Sequence, residues 1–338
     1  NLETISLKLN LIKKNLKHHN SLRLSSEAEL FFEYENLNEL KKLNGYCRKN
    51  NLRICALGEG TNTIFPRNFK NVVAKSKNKK FKVDKNTVKI GAGVNWNEAV
   101  FKSIKNGCFG LENLAGIPGS VGAAPIQNIG AYGSEISEFI KNLECFDIKK
   151  NKVVNFLNKD CKFGYRKSVF QLNKDLIINE VTLILNQKFS PNSSYFSPGI
   201  FSVKEDSNDI KYAMNWANKI VELRESKIPN TSDYPNVGSF FKNPLVSEKF
   251  FQNNKKLEKL KTFKREGDQI KLSAAEMIDK SDLKGMRLNN LGISSKHSLV
   301  FVNFGITTSR EVKELENRVI DVIMATYGIK LEREPIYL

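Results

Sequence analysis

At 338 residues the chain exceeds one ordinary core, so two or three domains are expected. Its 40% hydrophobic and 27% charged residues describe a globular protein, and no apolar run reaches membrane-spanning length. A net charge of +18 would suit a nucleic-acid binder, but the densest basic runs, Lys77 to Lys82 and Lys255 to Arg265, each hold one aromatic (Phe81, Phe263), too few to stack bases; a solvated basic surface without a nucleic-acid partner is expected.

In chain order, Asn36 to Asn50 reads as a helix, weakened by Gly45. Arg53 to Leu57 (RICAL) reads as a short buried strand before a Gly turn, and Val72 to Ala74 and Thr87 to Ile90 as further strands. Asn95 followed by Glu98 marks a helix start, with Trp96, Val100 and Ile104 on one face and Gly107 as the stop. The middle is strand-rich, at Leu143 to Ile148 and Val181 to Leu185. Asn186 to Asn208 is polar and contains Pro and Ser, a long loop of the kind that often carries function. A helix follows from Asp209 to about Ser226, with a stripe of Ile210, Ala213, Met214, Ala217, Ile220 and Val221 and a stop at Pro229. Ser273 to Lys284 reads as a helix capped by Gly285, and Leu299 to Phe304 as a strand. Thr308 and Glu311 form a capping box for a helix through Tyr327, closed by Gly328, and Leu331 to Tyr337 is a last strand. Helices and strands mix without a regular βα repeat, so the class is α+β rather than a barrel or a doubly wound sheet.

Cys47, Cys55, Cys108, Cys145 and Cys161 are scattered and form no CxxC pair, which reads as free thiols in a reducing cytoplasm. Three histidines (His18, His19, His297) without an HExxH motif give no expectation of a metal. No secretory signal is visible at the start.

Two stretches carry the chemistry. Gly238-Ser239-Phe240-Phe241-Lys242-Asn243-Pro244 packs more polar groups than a core strand needs, and suits a wall for a charged, hydroxyl-rich ligand. Residues 113–136 hold Gly116, Gly119 and Gly122 at three-residue spacing; so little bulk lets backbone N–H groups approach a pyrophosphate, or serves a tightly packed turn. Leu57 to Asn62 (LGEGTN) follows a strand as a phosphate loop should, yet GxGxxG fails at Thr63, so a plain turn is the competing reading. Arg166 beside Tyr165 suits a carboxylate, or a surface ion pair. Lys227 before Pro229 suits a diphosphate, or solvent. Glu332 and Glu334 share a strand face.

Taken together, LGEGTNTIF (57–65), NLAGIPGSVGAAPIQNIGAYG (113–133), FGYRKSVF (163–170), GSFFKNP (238–244), AAEMIDKSDLKGM (274–286) and LERE (331–334) occur in an order that resembles the UDP-N-acetylenolpyruvoylglucosamine reductase family of peptidoglycan precursor synthesis. The resemblance covers nearly the whole chain. It implies an FAD held by two N-terminal domains in the p-cresol methylhydroxylase-type fold, and a C-terminal domain for the UDP-sugar. The implied boundaries are 1–70 with 328–338, 71–208, and 209–327. The FAD diphosphate would lie along Gly58, Glu59, Gly60, Thr61 and Asn62 and along Ile117, Pro118, Gly119, Ser120, Val121 and Gly122, with Gly130 and Ala131 as further cofactor contacts. That accounts for the missing Rossmann fingerprint.

By motif, Ser239 would be the proton donor, with Arg166 and Glu334 as the other catalytic residues. Tyr165, Lys227 and Asn243 would contact substrate. FGYR and the 186–208 excursion resemble the subgroup with an extra substrate-covering loop, which makes Tyr195 the lid tyrosine. His297 stands where relatives often carry Gln, and would bind substrate or cover the site. The implied ligands are NADPH as hydride donor and UDP-N-acetylglucosamine enolpyruvate as acceptor, handled by a cytoplasmic monomer without a metal. In the implied chemistry NADPH reduces flavin N5 and leaves, and the enolpyruvyl ether then accepts hydride at its terminal carbon. Arg166 would stabilise the enolate, and Ser239 would protonate the neighbouring carbon. Pro335 departs from the pattern, since it lacks an N–H where a strand should continue, and Asn20-Ser21 replaces a more usual Asn-Thr. A flavin oxidase of the same fold and a non-catalytic nucleotide or nucleic-acid binder are the competing functions; GSFFKNP, Lys227 and Arg166 weigh against the first, and a colourless protein with salt-sensitive DNA binding would mark the second.

Overall fold

The computed structural model describes residues 9–196, 208–263 and 267–338. Part of the long 186–208 loop and the end of the basic run at 255–265 lie outside the described residues. The chain forms two compact units, one from 1–14, 28–59 and 70–224, the other from 15–27, 60–69 and 225–338. Each combines helices with mostly antiparallel sheet, as the α+β reading expected.

The first unit carries two sheets. The smaller has the strand order Ile12–Asn15, Glu27–Tyr34, Asn68–Ser76, Ile54–Leu57, with the last two parallel and Ile54 opposite Val72. Helix α1 (Leu37–Lys49) begins where Asn36 accepts a hydrogen bond from the Glu39 amide, which satisfies one orphan donor of the first turn. It buries Leu40, Leu43 and Cys47 against Phe32, Tyr34 and Val72. Gly45 does not break it, although a Cβ there would meet nothing within 4 Å.

The larger sheet has the order Lys152–Leu157, Ile140–Asp147, Leu176–Ile184, Thr87–Gly91, Phe81–Asp84, all neighbours antiparallel. One face presents Leu143, Val181, Leu183, Val88 and Ile90 to helix α2 (Trp96–Lys105) and helix α3 (Asp209–Lys227), within one core that includes Trp96, Ile104, Trp216 and Ile220. Burial of each large apolar side chain contributes about 1.5–3 kcal/mol, so this face anchors the unit. Phe146 and Ile177 of this sheet instead join the core around α1, and elsewhere on it Lys80 and Lys89 both pair with Glu180, at 2.8 and 3.9 Å. Lys77 pairs with Glu33, and Lys79 donates to the Gly93 carbonyl, so much of the basic run is engaged within the protein.

The second unit has a four-stranded sheet in the order Asn236–Ser239, Val300–Asn303, Leu291–Ile293, Arg287–Leu288. Helix α4 (Ser309–Tyr327) shows the expected capping box at Thr308 and Glu311 and the expected left-handed stop at Gly328 (φ 70°). It packs Leu315, Val319 and Ile323 into a core with Met277, Phe240, Phe241 and Phe301.

Two expected elements are shorter than the sequence suggested. The helix read as Ser273 to Lys284 spans only Ala274–Asp279. Asp282 takes a left-handed φ of 56°, and the Leu283 amide folds back onto the Ile278 carbonyl, turning Leu283 into the core. The strand read as Leu331 to Tyr337 survives as Ile336–Tyr337, parallel to Thr63–Ile64, while Arg333 makes only an isolated bridge to Phe241. Pro335, without an N–H, separates the two pairings.

Candidate active site

In the first unit the two Gly-rich stretches meet. A Cβ added at Gly58 would lie 2.6 Å from Ser120 Oγ and 3.2 Å from the Ala123 Cβ, so only glycine lets the turn after Ile54–Leu57 rest on the 119–122 segment. That segment is itself clamped to 92–96. The Trp96 amide donates to the Gly119 carbonyl, Val121 to Val94 and Gly122 to Ala92, at 2.9, 2.9 and 3.0 Å. A Cβ at Gly122 would reach 2.5 Å from that of Ala92, so this glycine serves packing. Ser120 sits opposite Asn95 between these bonds, a register that turns its own N–H away from 92–96. Glu59 pairs with Lys75 at 3.4 Å. The result is a closely packed backbone surface, half-buried at Gly58, Ile117 and Gly122, exposed at Pro118 and buried at Gly119, Ser120 and Val121, with little side-chain bulk.

Arg166 stands beside the same run. It occupies a left-handed backbone position (φ 51°), where a non-glycine residue is uncommon and strained. Its Nη2 donates to the Gly130 carbonyl at 2.8 Å, and its guanidinium lies 5.3 Å from the Tyr165 ring centroid. Gly130–Ala131 pairs with Ser134–Glu135 in a tight hairpin. Asn128 holds the arrangement by donating to Glu135 at 2.6 Å and to the Gly164 carbonyl at 3.2 Å. Tyr195 is half-exposed and meets Tyr132 edge-on at 5.7 Å.

Arg224, near the end of α3, was not singled out from the sequence. Its stem packs on Gly116, whose Cβ would lie 3.3 Å from the Arg224 Cδ. The residue as a whole keeps some exposure, but its Nε is sealed from solvent and has no hydrogen-bond partner. Burial and the neighbouring Arg166 charge push its pKa down, opposed by Tyr132. Burial likewise raises that of Tyr132. The sequence did hold a signal: Arg224 lies four residues after Ile220, at the next position of the apolar stripe, where a cation has no packing role. Two guanidinium groups and a phenol thus converge beside the Gly-rich run.

In the second unit Ser239 and Glu334 are tied through Phe240. Phe240 donates to the Leu299 carbonyl at 2.7 Å and accepts from the Glu334 amide at 2.8 Å, while Lys242 donates to the Glu332 carbonyl at 2.8 Å. Phe240 is fully buried and stacks on Phe301 at 4.0 Å. This apolar clamp fixes the backbone on which the half-buried Ser239 rides. Gly238 before it has φ 70° and donates to Asn236 Oδ1 at 2.9 Å. Glu332 points to solvent, 75% exposed, and pairs with Lys242 at 3.3 Å, whereas Glu334 is half-buried. Asn62 joins the same place: its Nδ2 donates to the Glu334 carbonyl at 3.2 Å and its carbonyl accepts from Ile336. Gly60 is left-handed (φ 67°), and a Cβ there would meet the His19 carbonyl. Thr61 between them is half-buried.

Asn243 Oδ1 accepts from the Ala274 amide at 3.0 Å at the start of a short helix. His297 is half-buried, and its Nδ1 accepts from the Leu299 amide at 3.2 Å. Burial, then the charges of Lys227 and Lys284, push its pKa below the ordinary value. The neutral ring then carries its proton on Nε2. Lys227 itself is exposed. No group of three His, Cys, Asp or Glu among the described residues could hold a metal, and no helix among them is long and apolar enough to cross a membrane.

Comparison with known proteins bears on this arrangement. The family profile for an FAD binding domain matches residues 28–156, and that for the UDP-N-acetylenolpyruvoylglucosamine reductase C-terminal domain matches residues 230–338. The UDP-N-acetylenolpyruvoylglucosamine reductase of Aliivibrio fischeri is 34% identical over 337 residues, covering 96% of this chain and 93% of the relative. That of Bdellovibrio bacteriovorus is 35% identical over 330 residues, covering 95% and 97%. The crystal structure of the reductase from Thermus caldophilus superposes with a TM-score of 0.70 at 23% identity, over 97% of this chain and 98% of that one. On these grounds the chain belongs to the UDP-N-acetylenolpyruvoylglucosamine reductase family.

Proposed function

We propose that the protein reduces UDP-N-acetylglucosamine enolpyruvate to UDP-N-acetylmuramate, with FAD bound and NADPH as the hydride donor. Bound FAD would supply the redox chemistry, accepting hydride from NADPH and donating it to the enolpyruvyl group. The surface formed by Gly58, Glu59 and Ile117, Pro118, Gly119, Ser120, Val121 and Gly122 is proposed to hold its diphosphate. The amides of Val121 and Gly122 are committed to Val94 and Ala92, so the N–H of Ser120, which is not bonded to 92–96, is the better candidate donor. Gly60, Thr61, Asn62, Gly130 and Ala131 complete the proposed cofactor contacts.

Arg166 is proposed to take the substrate carboxylate and stabilise the enolate. Its anchored Nη2 and strained backbone supply the preorganisation that makes electrostatic stabilisation effective, a contribution of about 3–4 kcal/mol for a comparable donor. Arg224 adds a second guanidinium to the same anionic ligand. Ser239 is proposed to deliver the proton that completes the lactyl centre. A hydroxyl is a weak acid, so this role rests on position, which the Phe240 clamp fixes. Glu334 is proposed as the third catalytic residue; the exposure of Glu332 supports that choice. Tyr165, Tyr195, Lys227, Asn243 and His297 are the proposed substrate contacts. The neutral His297 offers an Nε2–H to a phosphate oxygen without competing for a proton. Five free thiols, four of them buried, support a cytoplasmic setting.

One observation carries the reading: Arg224, whose sealed Nε has no hydrogen-bond partner, lies near Arg166 and Tyr132 beside the Gly-rich segment, and a guanidinium held there suits an anionic ligand. The test is an anaerobic visible spectrum of the purified protein during NADPH addition and then addition of the enolpyruvyl substrate. The flavin band is expected to bleach and then return. A band that stays bleached would leave the cofactor in place and reject the substrate.

A further inference from the structure

Asn113 does no chemistry in the reading above, yet it joins three distant parts of the first unit. It is 4% exposed. Its Nδ2 donates to the Tyr132 carbonyl at 3.0 Å and to the Asn192 carbonyl at 2.8 Å, and its Oδ1 accepts from Trp216 Nε1 at 2.7 Å. A buried amide with both donor hydrogens placed on different segments is fixed in one orientation, because a flip would aim its oxygen at two carbonyls.

Around it the 192–196 turn closes on the Gly-rich run. Asn192 Nδ2 donates to the Gly133 carbonyl at 3.0 Å, and Asn192 Oδ1 takes the Ser194 amide and hydroxyl at 3.2 and 2.6 Å. Phe196 stacks on Tyr132 at 5.4 Å and meets Trp216 edge-on at 5.9 Å. Tyr195, between them in sequence, is left half-exposed with its ring against Tyr132. Apolar contact alone would let such an exposed turn slide across the aromatic surface. The paired amides of Asn113 and Asn192 define its register.

We infer that Asn113 is a positioning residue, an amide latch that holds the 192–196 turn on the Gly-rich run and so presents Tyr195 to the UDP-bearing substrate. This rests on the reading of Tyr195 as a substrate contact. One donor bond from Asn113 ties the turn at its first residue, the other ties the latch to Tyr132 of the Gly-rich run, and Trp216 ties it to α3. Removing them frees Tyr195 at an entropic cost that returns on each binding event.

The test uses the FAD-loaded, oxidised enzyme, which binds the enolpyruvyl substrate without turnover. Asn113→Ala, Asn192→Ala, Tyr195→Ala and the double variant Asn113→Ala/Tyr195→Ala are compared by calorimetric Kd and by amide hydrogen exchange of residues 192–196. Loss of the bond to the Asn192 carbonyl predicts exchange about tenfold faster in Asn113→Ala and a Kd about tenfold weaker. The double variant is expected to bind no worse than Tyr195→Ala alone, which a merely structural role would not produce. Unchanged exchange in Asn113→Ala, or losses that add in the double variant, would overturn the latch. Unaltered binding by Tyr195→Ala would reject the substrate role of Tyr195, and with it the positioning role, even where exchange shows the latch itself. Should Asn113→Ala fail to fold, Asn113→Asp, near-isosteric and still an acceptor for Trp216 Nε1 but with oxygen in place of the donor amide, carries the same predictions.

Discussion

At the residue scale, Ser239 and Arg166 occupy positions where backbone geometry gives little freedom. Ser239→Ala removes one oxygen from a site clamped by Phe240 and Phe301, so folding should be untouched. Flavin reduction by NADPH is expected to persist, with reoxidation by the enolpyruvyl substrate slowed by about 10²–10⁴-fold, the range for a lost proton donor. Stopped-flow absorbance separates the two; equal slowing of both would refute proton donation. Arg224→Ala deletes a cation whose Nε lacks a protein partner. A charge-assisted contact contributes about 1.5–3 kcal/mol, so substrate Kd is expected to weaken about 10- to 100-fold, with the fold retained. Binding at wild-type affinity would remove Arg224 from the site. Ser239 and Arg166 can be proposed from sequence because their motifs are contiguous. Arg224 stands alone, and Asn113 acts through partners up to 103 residues away, which no local pattern displays.

At the element scale, the signals that succeeded are those decided within one turn. Asn36 and Asn95 cap their helices through the Glu39 and Glu98 amides, and Thr308 and Glu311 close a reciprocal box. The signals that failed depended on tertiary context: the 274–279 helix ends where Leu283 finds the core, and the last strand divides at Pro335. The C-terminal segment depends on something less visible. Glu316 on α4 is 1% exposed and receives Lys313 and Arg333 at 3.0 Å and the Tyr337 hydroxyl at 2.9 Å. Removing one partner of a fully buried pair costs about 3–5 kcal/mol, but Arg333 and Lys313 are nearly half-exposed and recover hydration. Glu316→Ala is therefore expected to cost about 2 kcal/mol and to loosen residues 333–338. Hydrogen exchange of the Glu334 and Ile336 amides would report it, and unchanged protection there would show that the Phe241 and Thr63 pairings suffice.

At the scale of the whole molecule, each unit is assembled from three separate stretches, and the second draws 15–27 and 60–69 into a body otherwise made of 225–338. Periodicity identifies the elements but not such a division, because the hydrogen bonds that create it, such as Asn303 Nδ2 to the Leu22 carbonyl, link residues 281 apart. Glu112 is one of the carboxylates buried inside the first unit. Glu112 is 4% exposed; its Oε2 accepts from the Gly110 amide at 2.7 Å and its Oε1 has no partner. Burial pushes its pKa up from 4.5 to about 7, against the opposing backbone hydrogen bonds. Between those two values the folded protein holds a proton that the unfolded chain has released. Stability from this group is therefore full below pH 4.5, declines as pH rises, and is lost above about 7. At ~1.4 kcal/mol per pH unit the loss approaches roughly 3 kcal/mol. Glu112→Gln keeps the acceptor for Gly110 and mimics the protonated acid at every pH. Its Tm relative to wild type is expected to rise steadily from pH 4.5 to 8, while parallel curves for the two proteins would mean that Glu112 ionises in the folded state at an ordinary carboxylate pH.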